Sequence, residues 1–172
     1  MSQEELAYEE LEQKIIEELQ KHKHAVLATS DNGYVTAREM RLLSEGMQIY
    51  CFTDNGSRKY KQISANPNVA ISAGNLQIEG IATIKSHPLH EENAEFIDIF
   101  RRTQPEIFKI ASRIHFKRPD IKVLDIAPKR MTLWVGSAKP GVESYLDILN
   151  VITEQAHRVT TTAIKESPVY NE

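Results

Sequence analysis

The chain has 172 residues, 41% of them hydrophobic and 26% charged, and a net charge of −3, which suits one folded domain and argues against a nucleic-acid partner. Its lone cysteine, Cys51, excludes an intrachain disulfide framework and a cysteine-rich zinc site. The seven glycines form neither GxGxxG nor GxxxxGK(S/T), which excludes the common glycine-rich nucleotide-binding loops.

The first 23 residues predict an N-terminal amphipathic helix whose regular pattern begins near residue 4. Leu11, Ile15 and Leu19 recur every four residues, the spacing of one helix face. This acidic segment does not have the features of a secretory signal. No apolar run reaches the roughly 20 residues that cross a bilayer. We therefore expect a cytoplasmic protein without membrane contact.

Short apolar segments separated by turn residues predict a series of hairpin-linked strands. The predicted strands are 24–30, 34–43, 47–53, 68–73 and 76–86. The turns contain the triplets DNG, SEG and DNG and the pair GN, whose residues tolerate positive φ. Ser57 is a typical N-cap for a short helix over 58–65, which the following Asn-Pro ends. Gly80 indicates a bulge in the fifth strand or a close approach of another group to its backbone.

The second half of the sequence alternates between helical and strand-like patterns. Residues 91–116 predict a helical insert, which Pro105 divides in two. The remaining predicted elements are strands at 121–127 and 130–135, a closing helix at 143–158 and a tail at 160–172. We expect a single domain over 1–172, mainly β with flanking helices. Its six or seven antiparallel strands would form a barrel or a partly opened barrel.

Positive side chains concentrate on one strand and at the start of the short helix. Arg38 and Arg41 lie on the strand, and Arg58 and Lys59 follow Ser57 at the helix N-terminus, which itself favours anions. Because side chains alternate along a strand, the two strand arginines face opposite ways, and we expect Arg38 to reach an anion. The alternative is that these are solvated surface cations.

Several segments, in order, resemble the split-barrel flavoproteins related to pyridoxamine 5′-phosphate oxidase and to small general-stress FMN proteins. The matching segments are 36–42 (TAREMRL), 50–53 (YCFT), 56–59 (GSRK), 66–69 (NPNV), 78–82 (IEGIA) and 128–134 (PKRMTLW). The resemblance covers about residues 20–137. It implies an antiparallel split β-barrel that binds FMN in a groove between the two subunits of a homodimer.

The resemblance also implies which residues contact the cofactor. These are Arg38, Glu39, Met40, Arg41, Phe52, Thr53, Ser57, Arg58, Lys59, Asn75 and Trp134. By this analogy Arg38 and Lys59 pair with the FMN phosphate, flanked by Ser57 and Arg58. Asn75 falls where related oxidases place a glutamine against the flavin ring. Trp134 falls where they place a tryptophan that reaches the FMN of the other subunit.

The sequence departs from a true pyridoxamine phosphate oxidase after the last predicted strand. Residues 136–143 contain one lysine, no histidine and no arginine, so the charge that would hold a vitamin phosphate is missing. We therefore expect an FMN-dependent oxidoreductase that exchanges hydride or electrons with a nicotinamide or another small organic substrate. We assign no catalytic residue and no metal ligand.

Two alternatives to this expectation remain open. The same fold also resembles binders of the deazaflavin F420 and of haem. The chain could also be a non-catalytic flavin-binding sensor or an interaction module.

Overall fold

The computed structural model describes residues 2–136 and 143–161. These ranges contain ten strands, four α-helices and one 3-10 helix at Glu91–Asn93. The strands are β1 (Ser2–Leu6), β2 (His24–Asp31), β3 (Tyr34–Arg41), β4 (Leu43–Glu45), β5 (Gln48–Asp54), β6 (Asn68–Ala73), β7 (Leu76–Ile84), β8 (Ile121–Val135), β9 (Ser144–Asn150) and β10 (Gln155–Thr161). The helices are α1 (Tyr8–Gln20), α2 (Arg58–Ala65), α3 (Ala94–Thr103) and α4 (Pro105–Ile114).

All described strands belong to one antiparallel sheet that does not close. Its order is β1-β10-β9-β8-β7-β6-β2-β3, and β5 pairs with β8 and β4. On one edge of β8, β5 pairs along 121–126 and β9 pairs along 130–135, so the sheet divides at this strand. The expectation of a mainly antiparallel β fold with flanking helices is confirmed. The expected six or seven strands were too few, because β1, β9 and β10 extend the sheet at the chain ends and β4 follows β3 as a separate strand.

Two hydrophobic cores pack on the two faces of this sheet. In the larger core, Leu11, Ile15 and Leu19 of α1 and Ile63 of α2 contact the inward side chains of the central strands. The smaller core contains residues of α3 and α4, including Phe100, packed on the opposite face of β5 and β8. The helical insert predicted over 91–116 is therefore present, and Pro105 begins α4 as its first residue.

β8 is one continuous strand with a bulge, where the sequence predicted two strands separated by a proline. Glu79 pairs with Arg130 and Gly80 pairs with Pro128, so Lys129 is the extra residue. A Cβ atom at Gly80 would lie 2.7 Å from the carbonyl oxygen of Ala127. The bulge expected at Gly80 is confirmed. It lets the strand continue through a proline that cannot donate to the ladder.

Both ends of the chain differ from the sequence-based expectation. Residues 2–6 of the predicted 1–23 helix form β1, which pairs with β10, so the helix begins only at Tyr8. The predicted closing helix at 143–158 is wrong. Ser144–Asn150 forms β9 on the edge of β8, and β10 returns beside it. Pairing with the open edge of β8 on one side and with β10 on the other overrides the helix-like spacing of Leu146, Leu149 and Ile152.

The predicted tail is only partly described. Thr160 and Thr161 belong to β10, and 162–172 lie outside the described residues. Within the described ranges, no helix combines the length and apolar character needed to cross a membrane.

Candidate functional site

Three positive side chains meet where the start of α2 faces the inner side of β3. Burial, followed by the nearby charge of Arg58, lowers the pKa of Arg38. Burial lowers the pKa of Lys59 as well, and Arg38 contributes in the same direction against the opposing effect of Asp54. Arg38 donates to Thr36, and Thr36 donates to Gln62 of α2, so the strand and the helix that carry Arg38, Arg58 and Lys59 lie side by side and the three residues form one region of positive charge.

Arg38 is held by its neighbours through only part of its guanidinium group. Its Nη1 donates to the carbonyl oxygen of Leu27 at 3.0 Å and to the hydroxyl of Thr29 at 2.8 Å, and its Nη2 donates to the hydroxyl of Thr36. A guanidinium carries five N–H donors. The Nε–H and the second N–H of Nη2 donate to no residue in the described ranges. Two adjacent N–H donors of this kind suit a phosphate or carboxylate.

The N-terminus of α2 begins with a cap that fits the sequence. The Ser57 hydroxyl accepts a hydrogen bond from the backbone N–H of Tyr60 at 3.3 Å and donates to the carbonyl of Asp54 at 2.9 Å. Ser57 Oγ also lies 2.9 Å from the hydroxyl of Thr53 on β5. The cap thus joins β5 to α2 and fixes where the helix begins.

The first turn of α2 offers unpaired donors next to Arg38. In the described part of the chain, the backbone N–H groups of Arg58 and Lys59 have no acceptor, as is usual for the first turn of a helix. Lys59 also makes no ion pair or side-chain hydrogen bond there. Free backbone N–H groups, the helix dipole and three cations together make this region suited to a strongly charged anion such as a phosphate monoester.

The other predicted residues of β3 point in two directions. Met40 faces inward and packs against the larger core, whereas Glu39 is exposed on the outer side. Arg41 donates to the Gln104 side chain at 2.7 Å, at the junction of α3 and α4. The structure therefore separates Arg41 from Arg38, as strand alternation predicts.

The side chain of Phe52 lies away from the three cations Arg38, Arg58 and Lys59. On β5, Cys51 and Thr53 face the larger core, and Phe52 faces the helical insert. Its ring lies 5.7 Å from the ring of Phe116 and 6.2 Å from that of Phe100. The expected contact of Phe52 with a cofactor stays a prediction. Its ring packs against the smaller core, whereas Thr53 Oγ1 lies 2.9 Å from Ser57 Oγ.

Asn75 and Trp134 lie together at a second place on the sheet. The backbone N–H of Trp134 donates to the carbonyl of Asn75 at 3.0 Å, and the Trp134 side chain is 47% exposed. In the sheet order, β8 is four strands away from β3, about 19 Å along the sheet at the usual strand spacing. Within one chain, Trp134 and Arg38 are therefore far apart along the sheet.

Sequence reasoning missed three polar residues that surround Arg38. Thr29 and Gln62 are almost fully buried, and Thr36 lies next to them on β3. The positions of Thr36 and Gln62 in the sequence could have indicated them. Thr36 is two residues from Arg38 on a strand, so it shares its face, and Gln62 stands beside Ile63 on the buried side of a short helix.

Comparison with known proteins supports the arrangement of the barrel. A family model described as pyridoxamine 5′-phosphate oxidase matches residues 11–135. General stress protein 26 of Bacillus subtilis (strain 168) is 35% identical over 66 residues, which cover 38% of this chain and 47% of that protein. The match therefore spans about half the length of this curated relative.

Two solved structures have the same fold at low sequence identity. One is a pyridoxamine 5′-phosphate oxidase-related, FMN-binding protein from Nostoc punctiforme PCC 73102, with 15% identity and a TM-score of 0.56 over 91% of this chain and 97% of that chain. The other is the haem-storage protein HutZ from Vibrio cholerae, with 17% identity and a TM-score of 0.58 over 72% and 94%.

The matched family segment runs from α1 to the last residue of β8 and includes Arg38, α2 and Trp134. Because it covers well over half of the sequence, the chain belongs to the pyridoxamine 5′-phosphate oxidase family of split-barrel proteins.

Proposed function

We propose that this chain binds FMN and acts as an FMN-dependent oxidoreductase, with the FMN phosphate between Arg38 and the N-terminus of α2. The observation that carries the proposal is the pair of free N–H donors on Arg38 beside the free backbone N–H groups of Arg58 and Lys59. The FMN-binding relative from Nostoc punctiforme, which shares the fold, supports the choice of this anion.

The charge balance of the site fits a phosphate monoester. Such a group carries about −1.5 to −2 charges at neutral pH. Arg38, Arg58 and Lys59 supply three positive charges, which Asp54 only partly offsets. Bound FMN would supply the hydride or electron transfer chemistry through its ring. The chain itself would anchor the phosphate and orient the cofactor.

We propose further that two copies of the chain form the functional unit. β3 is the end strand of the sheet, and its first two residues, Tyr34 and Val35, are 64% and 65% exposed, while Val26 of the neighbouring β2, which pairs with Glu39, is 42% exposed. Large exposed apolar side chains on a sheet edge favour association. A partner placed there would also allow its Trp134 to approach a cofactor that Arg38 of the first chain anchors.

The proposed substrate is a nicotinamide or another small organic molecule rather than pyridoxamine phosphate. Residues 136–143, of which 137–142 lie outside the described residues, contain one lysine and neither histidine nor arginine, which is little positive charge for holding a substrate phosphate.

The absorbance spectrum of the purified protein, followed by assays with NADH, NADPH, quinones and nitro compounds, tests this function. We expect the yellow colour and fluorescence of a flavin and a change in its redox state with at least one donor. FMN binding without any such change would favour a sensor. A Soret band would indicate haem, as in the relative HutZ, and a separate near-ultraviolet band would indicate deazaflavin. A colourless protein that leaves FMN fluorescence unchanged would refute FMN binding.

A further inference from the structure

We infer that Gln62 is a positioning residue, which acts through Thr29 and Thr36 to aim the free donors of Arg38 at the phosphate. This inference rests on the proposed phosphate site. Gln62 lies on α2, one turn after Lys59, and only 5% of its surface is exposed. Among the described residues, its side-chain hydrogen bonds go to Thr29, Thr36 and Tyr34 and not to Arg38.

The amide of Gln62 has a fixed orientation because each of its ends has a different kind of partner. Its Oε1 lies 2.7 Å from the hydroxyl oxygens of both Thr29 and Thr36, which donate to it. Its Nε2 donates to the carbonyl oxygen of Tyr34 at 3.0 Å. A flipped amide would place a donor against these hydroxyls and an oxygen against a carbonyl, so the observed orientation is favoured.

This orientation determines where the two hydroxyl protons lie. Each threonine hydroxyl has one proton, and both protons point to Gln62 Oε1. Only lone pairs then remain for Arg38, whose Nη1 and Nη2 donate to Thr29 and Thr36. Gln62 therefore converts the two hydroxyls into a paired acceptor that matches one side of the guanidinium.

As a consequence, the orientation of the remaining N–H donors of the guanidinium is fixed before an anion binds. With Nη1 and one N–H of Nη2 held, the Nε–H and the other N–H of Nη2 are left for the anion. Holding a long side chain before binding reduces the entropy lost on binding. Because Gln62 also belongs to α2, the same contacts fix Arg38 of β3 relative to the helix N-terminus that carries Lys59.

Binding of FMN compared with riboflavin tests this role, because riboflavin has the same ring and lacks the phosphate. For Gln62→Leu we expect FMN affinity to fall about tenfold, which is of the order reported for one immobilised side chain, while riboflavin affinity stays unchanged. In the background of Arg38→Ala, the same substitution should have little further effect, since there is no guanidinium left to position.

Gln104→Leu is the matched control. Gln104 is also a buried glutamine that binds an arginine, Arg41, and a backbone carbonyl, so replacing it should lower the stability of the fold by a similar amount. It should leave the ratio of FMN to riboflavin affinity at the wild-type value. If Gln62→Leu does not fold, Thr36→Val, which removes one of the two linking hydroxyls, should lower the ratio in the same way.

The outcomes separate the two proposals. If wild-type protein binds FMN and Gln62→Leu weakens FMN and riboflavin equally, or adds fully to Arg38→Ala, the positioning role is refuted and the phosphate site stands. If wild-type protein binds FMN no better than riboflavin, the phosphate site itself is wrong, and the role of Gln62 falls with it.

Discussion

The polar side chains of the site have two roles: some would bind the anion, and others stabilise the fold around it. Arg38 does both, because three of its N–H donors bind Leu27, Thr29 and Thr36 and the other two bind no residue in the part of the chain that the structure describes. Lys59 has no ion pair or side-chain hydrogen bond within the described ranges, so a bound phosphate would be its main polar partner. The two cations therefore differ in what their removal changes.

Replacing either cation by alanine should weaken FMN binding. For Arg38→Ala and Lys59→Ala we expect losses of about 1.5–3 kcal/mol each, the range for a hydrogen bond to a charged group. Arg38→Ala should also lower stability, because it removes the hydrogen bonds that Arg38 donates to the Leu27 carbonyl and to the hydroxyls of Thr29 and Thr36. Fluorescence titration with FMN measures the affinity, and thermal unfolding without FMN measures the stability.

Lys61→Ala is the matched control for these variants, because Lys61 is an exposed lysine two residues further along α2. It should leave FMN affinity within experimental error. If Arg38→Ala and Lys59→Ala also leave FMN affinity unchanged, the phosphate does not lie where we place it.

At the scale of elements, local signals predicted the part of the fold that carries the site. The N-cap Ser57, the bounds of α2 and the inward direction of Arg38 follow from neighbouring residues, and the structure has them as expected. The network of Gln62 was not predictable, since it depends on how α2 packs against β2 and β3. β9 and β10 were missed because their apolar residues have a helix-like spacing, and only their pairing with the second half of β8, with each other and with β1 makes them strands.

A buried ion cluster connects these unpredicted strands to α1. Asp147 of β9 is fully buried, and its carboxylate lies 2.7 Å from Nζ of Lys14 and 2.7 Å from Nε of Arg158. Burial raises the pKa of Asp147, but the hydrogen bonds from Arg158 and Lys14 outweigh it, and the net result is a pKa below the ordinary value of 3.8.

This lowered pKa predicts the direction of a pH effect on stability. Since the folded-state pKa lies below the unfolded value, Asp147 stabilises the fold above about pH 4 and loses this contribution as the pH falls through the folded-state pKa. Asp147→Asn should reduce the free energy of unfolding at pH 7 by about 2 kcal/mol and by less in acid. Urea unfolding at several pH values measures both effects.

Asp98→Asn provides the comparison for this experiment. Asp98 lies 4.0 Å from Arg102 in an exposed pair on α3, and such pairs contribute little. Equal losses for Asp98→Asn and Asp147→Asn, or a loss at Asp147 that does not diminish in acid, would contradict the assigned role of the cluster.

For the whole molecule, the sheet order supports our proposal that two chains form each cofactor site. Arg38 and Trp134 lie on β3 and β8, four strands apart in the sheet. The exposed side chains of Tyr34 and Val35 make the β3 end of the sheet the proposed contact surface. If each site combines Arg38 of one chain with Trp134 of the other, variants in these two residues should complement each other.

Mixing Arg38→Ala and Trp134→Ala chains tests this arrangement. Each variant alone has two altered sites per dimer, whereas a mixed dimer has one site with both changes and one site with neither. We therefore expect that, after subunit exchange, one of the two sites in each mixed dimer binds FMN with wild-type affinity. A mixture that binds no better than the separate variants, despite confirmed exchange, would show that Trp134 does not act across the interface.

The most direct test of the account is a paired titration of the wild-type protein with FMN and with riboflavin. Anchoring by Arg38, Lys59 and the N-terminus of α2 predicts that FMN binds about 100-fold more tightly than riboflavin, which corresponds to about 2.7 kcal/mol from the phosphate. Equal affinities for the two flavins, or no binding of either, would contradict the proposed phosphate site.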